Sequence, residues 1–97
     1  MLRPEIGDRI GAILSADREE VRLLGFGTYQ GKEIPPPGIN LMGIDLNSIG
    51  LMNPKLLLDN GKIVWGCECW WGPEAEVRAS FGNRRVAEVD IEIERGR

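Results

Sequence analysis

Cys67-Glu68-Cys69 holds the only two thiols of the chain, and no histidine accompanies them. On a strand, alternate residues share a face, so both thiols would stand together, about 6–7 Å apart at their α-carbons. Paired thiolates are soft ligands, but a closed zinc site takes four donors, mostly Cys or His. The remaining donors would have to be carboxylates or a second chain's cysteines. Trp65 and Trp71 flank the pair, which favours two reduced, buried thiols acting as small hydrophobes. A redox pair needs exposed thiols of lowered pKa beside a cation or a helix N-terminus, and no basic residue adjoins these. The missing histidine also removes the usual base for a Ser or Cys nucleophile. Gly25-Phe26-Gly27 lacks the lysine and the following helix of a phosphate loop. The expectation is a protein that is not an enzyme and carries no cofactor.

Carboxylates recur at every second position in Glu88, Asp90, Glu92 and Glu94. Such a row could hold a divalent cation or a basic partner, but a solvated strand face that discourages edge pairing is the simpler account. The aromatic side chains are more informative. Trp70, with Leu57, Val64 and Gly66, falls on the mixed face of a hairpin, and Tyr29 lies near a glycine-rich bend that could extend it. Trp and Tyr dominate interface energetics. These five residues are the candidate protein-contact surface, for another protein or for a second copy of the chain. The second reading is a metal- or small-ligand site using Cys67 and Cys69 with nearby carboxylates.

The elements that position these residues follow from punctuation and period. Asn60-Gly61 is a two-residue turn signal of type I′. It would pair Asp59 with Lys62, Leu58 with Ile63, Leu57 with Val64 and Leu56 with Trp65. One face would then carry Leu56, Leu58, Ile63, Trp65, Cys67, Cys69 and Trp71, all uncharged. Ile6–Ser15 reads as a strand with Ile6, Ile10, Ala12 and Leu14 inward. Glu20–Tyr29 alternates until Leu24, where Gly25 and Gly27 predict a bulge or bend. Glu33–Gly38 must leave the sheet, because Pro35–Pro37 donate no backbone hydrogen bonds. Ile39–Asn53 reads as a long ordered loop with a short strand at Ile44–Leu46. Pro73–Phe81 predicts a helix, with Pro73 at its start, Gly82 at its end and Val77 and Phe81 facing the sheet. A last strand would turn Ala87, Val89, Ile91 and Ile93 inward.

Strand, strand, long loop, hairpin, helix, strand is the layout of a small SH3-like, partly open barrel of five or six antiparallel strands. The Trp70-Trp71 doublet also resembles the tryptophan pair of signalling SH3 domains. The acidic-tyrosine motif after the first strand and the Pro-Asn-Tyr-type segment before the last are absent, so the resemblance does not extend to proline-peptide binding. The alternative fold is an antiparallel sheet with one packed helix.

Ninety-seven residues, 42% of them apolar, suit one domain over residues 1–97. No apolar run reaches the ~20 residues of a membrane span, and MLRPEIGD lacks the pattern of a signal peptide, which predicts a cytoplasmic protein. A net charge of −3 without a basic cluster disfavours binding to a nucleic-acid backbone. The sequence therefore predicts a small all-β module that works by binding protein.

Overall fold

A computed structural model describes residues 3–97. Six strands form one sheet in the order β6-β5-β2-β1-β7, with β8 paired to β2 outside that path. They are β1 (Arg9–Ala16), β2 (Glu20–Glu33), β5 (Asn53–Leu58), β6 (Ile63–Trp65), β7 (Trp70–Pro73) and β8 (Arg85–Glu88). Two short strands, β3 (Asn40–Leu41) and β4 (Ile44–Asp45), make a separate hairpin. Helix α1 spans Glu74–Ser80 and α2 spans Ile91–Arg95. The neighbours along the path run antiparallel, whereas β8 runs parallel to β2. The architecture is mainly β with two helices, within the range predicted.

The sheet curls without closing. Strands β6 and β7 lie at opposite ends of the order, yet only residues 66–69 join them, and Gly66–Glu68 form a 3₁₀ turn. A flat sheet would hold these two strands about 19 Å apart, and a 3₁₀ turn advances only ~2 Å per residue. The inner face collects Ile10, Ala12, Leu24, Tyr29, Leu56, Leu58 and Val64, with Trp71 and Cys69 packed on them. Ile91 of α2 covers this face. The outer face carries Ile13, Val21 and Leu23, covered by Val77 of α1, with Phe26 and Phe81 at the edge. Leu23 and Leu24 are adjacent in sequence and serve opposite cores. Ordinary alternation along the strand does this, and a register slip sits beside it: Ala12 pairs with Gly25 but Ile13 with Leu23, so Leu24 is an extra residue, the bulge expected there.

Helix α1 matches the expected one to within its end residues. Val77 is buried, Arg78 lies 3.9 Å over the Phe26 ring, and Gly82 follows at φ +57°. Glu74 accepts from both Arg9 and Arg78, which ties the helix start to β1.

Three expectations about the strands fail. The β5–β6 hairpin pairs Leu57 with Ile63, Leu56 with Val64 and Lys55 with Trp65. The loop has three residues, not two: Leu58 N–H donates to Lys62 O, and Gly61 N–H donates to Leu58 O. Only Gly61, at φ +86°, is left-handed there; Asn60 is not. This is a turn followed by a glycine bulge. The one-residue shift exchanges faces. Val64 becomes core, fully buried with Leu56, while Trp65, paired with Lys55, takes the other face and is buried there, at 4% exposure. The type I′ geometry occurs instead at Met42-Gly43, both at positive φ (52° and 82°), between β3 and β4.

The last strand also ends early. β8 stops at Glu88, and Asp90 caps α2 by accepting from Glu92 N–H at 2.8 Å. Of the four residues predicted inward, Ile91 alone is buried and Ile93 is exposed. The carboxylates do not form an open row: Glu94 holds Arg22, and Glu92 holds Lys62. Ile6, predicted inward, is likewise exposed and precedes β1.

Candidate functional site

The segment between β2 and β5 stands apart from the rest of the chain. Ile34–Met52 carries one charged residue, Asp45, in a protein that is 28% charged. It folds upon itself. Asp45 Oδ2 accepts from Gly38 N–H at 3.0 Å, and its Oδ1 accepts from Asn47 N–H at 2.9 Å. Those bonds hold the Asp45 carboxyl below its usual range, Gly38 first among the causes. Leu46 N–H donates to Ile39 O, and the Asn47 amide donates to Pro35 O. Ile39, Leu46 and Pro35 are the buried residues of this arm. The predicted ordered loop is therefore present, with its short strand at Ile44–Asp45.

What the arm turns outward is apolar. Ile34, Leu41, Met42, Ile44, Ile49, Leu51 and Met52 are all exposed, Met42 at 94%. Seven large apolar side chains exposed on one segment of nineteen residues are more than scattered single surface hydrophobics. The arm's one carboxylate, Asp45, spends its oxygens on backbone N–H groups of the arm itself, so it is the single formal charge beside these seven side chains. The sequence carried the signal: seven large apolar residues without alternation and with a single intervening charge, Asp45.

The five predicted contact residues do not form one surface. Trp70 is 58% exposed and Leu57 is at the edge of exposure. Val64 is fully buried and Tyr29 nearly so, both in the inner core. Gly66 lies in the 3₁₀ turn, where an added Cβ would come within 3.0 Å of the Pro54 ring. Leu57 on β5 and Trp70 on β7 share the outer face, but β2 and β1 lie between them. There α1 sits over Gly11 and Phe26. Trp70 instead borders a 220 Å³ depression with Ile13, Ser80 and Arg84.

The cysteines do not share a strand face, because Cys67 lies in the 3₁₀ turn and Cys69 just after it. Cys69 packs on the inner core and its thiol donates weakly to Trp65 O at 3.7 Å. Burial pushes the Cys69 thiol up to about 12 and also raises Cys67. At neutral pH both are thiols, not thiolates. The intervening Glu68 is committed elsewhere: it accepts from Trp65 N–H at 3.0 Å and from two Arg95 nitrogens at 2.6 and 2.7 Å. Among the described residues no three His, Cys, Asp or Glu side chains gather as a ligand set, and no helix is long and apolar enough to cross a membrane.

No protein-family model, no curated protein and no solved structure matches the chain.

Proposed function

We propose that this chain is a non-catalytic protein-binding module whose contact surface is the apolar arm, residues 34–52. The observation that carries this reading is the coincidence of high exposure with vanishing charge on one ordered segment. Loops otherwise run over surfaces as polar connections. A loop this long inside a small domain is more often functional than incidental.

Magnitudes set the kind of binding. A stable interface draws on roughly 20–30 residues a side, and the arm offers seven large exposed apolar side chains. The arm alone thus supports modest affinity, and a tight complex would recruit a neighbouring surface such as Trp70 or Leu57. Its apolar, uncharged character suits an obligate partner or a second copy better than a polar transient one. The strand order, with a 3₁₀ turn before the strand that returns to β1, supports an SH3-like, partly open barrel as the scaffold.

The double substitution Met42→Lys, Ile49→Lys tests the reading. Both side chains are exposed, so the melting temperature should stay within a degree or two, as for surface changes of under ~0.5 kcal/mol. Self-association by sedimentation, or co-purification of a specific partner from the native cell, should be lost. Association that survives both lysines overturns the arm as the contact.

A further inference from the structure

Most cations of this protein are occupied. Eight of the twelve Lys and Arg side chains hold a carboxylate, and Arg84 donates to the carbonyls of Asp17 and Phe81. Among the described residues, Arg3, Arg18 and Lys32 alone have no such partner. Two of these three, Arg3 and Lys32, line a single pocket of about 550 Å³ with Pro4, Tyr29, Pro54 and Trp71.

Three independent features build this pocket. First, Tyr29 and Trp71 stack face to face, with centroids 5.6 Å apart and planes 10° from parallel, which fixes the indole. Second, a bulge aims Lys32. Tyr29 pairs with Leu56 and Lys32 with Pro54, so β2 advances three residues while β5 advances two. Strict alternation would put Lys32 on the face opposite Tyr29. The extra residue brings it to the same face, with Gly31 at φ +86° making the turn. Third, the segment before β1 is anchored beside Tyr29. Gly7 N–H donates to Tyr29 O, and Tyr29 N–H donates to Asp8 O, at 2.8 and 2.9 Å. Neighbouring Glu33 does not neutralise Lys32, since it pairs with Lys55.

We propose that this pocket binds a small flat-ring phosphate, of the size and charge of a nucleoside monophosphate. The volume lies in the range of small-ligand sites. Two cations match the −1.5 to −2 charge of a phosphate monoester, and a guanidinium fork suits its oxygens. The indole edge and two proline rings offer flat apolar walls to a ring. The chain's net charge of −3 opposes a long polyanion, which points to one phosphate rather than a nucleic-acid strand. The site lies at the base of the apolar arm, where Lys32 pairs with Pro54, and uses none of the arm's exposed side chains.

Calorimetric titration at low salt with adenosine monophosphate and phenyl phosphate is the test, with adenosine and inorganic phosphate as the separated halves. At least one ring phosphate should bind ~tenfold tighter than either half. Arg3→Gln and Lys32→Gln alter exposed side chains, leave the fold intact and should each weaken binding by about tenfold. Arg18→Gln, at the other end of β2, should not weaken it. No heat from either ring phosphate up to about 10 mM, halves that bind as well as the whole, or binding indifferent to Arg3 and Lys32 overturns the proposal.

Discussion

Gly27 marks the closest approach of two strand backbones. It pairs with both Ile10 and Leu58, and an added Cβ would fall within 2.6 Å of Leu58 Cα and into the Leu57 carbonyl. No side-chain rotation relieves a collision with backbone, so Gly27→Ala should cost about 3 kcal/mol or more in denaturant unfolding. A variant with the parental midpoint would contradict the β2–β5 register. The thiols give a second residue-scale prediction. Cys69, raised to about 12 by burial, should label far more slowly than free cysteine at pH 7, and unfolding should release it. Cys67, raised less and half-buried, should label first, faster as pH rises. Equal, rapid labelling of both would contradict their placement. At this scale the sequence places the thiols among apolar neighbours, and the structure packs Cys69 on the inner core. The sequence does not separate Val64 from Trp65, because both are apolar and a glycine at positive φ serves a two-residue and a three-residue loop equally.

Helix α2 shows how two periods can fit the same short stretch. Ala87, Val89, Ile91 and Ile93 alternate as a strand would, yet five residues are too few to separate strand from helix by period. Asp90 decides locally by capping the helix, and Glu68 decides at long range by clasping Arg95, which also donates to Ile63 O at 2.9 Å. Arg95→Ala should therefore loosen α2 from the 3₁₀ turn, lowering stability by about 1–2 kcal/mol and raising amide exchange over 91–95. If exchange there is unchanged, α2 is held by Ile91 alone. The arm has its own electrostatic latch. The Asp45 carboxyl is depressed in the folded chain, chiefly by Gly38 N–H. Its contribution is then complete above the unfolded pKa of about 3.9 and is lost as pH falls through the lower folded value. Protection of the Gly38 and Asn47 amides should persist at pH 5 and fall below about pH 4. Protection that is flat across that range would remove the latch. The arm was visible in sequence as an apolar, glycine-broken stretch. Its exposure was not, because apolar residues are read by default as core.

At the scale of the molecule, the curled sheet divides labour between its faces. The inner face is sealed at one side by Ile91 and lined at another by the Tyr29–Trp71 stack, while α1 covers the outer face. The arm leaves from the end of β2 and returns at Asn53, paired with Glu33. The fold thus presents the arm without needing it for either core, and its substitution should spare stability. A photo-crosslinking amino acid at Met42 in the native cell tests the central claim most directly, with the same probe at Arg18 as reference. The account predicts a discrete, reproducible adduct from Met42, lost in the Ile49→Lys background and absent from Arg18. Adducts that are equal at both positions, or none at Met42, would contradict a binding role for the arm.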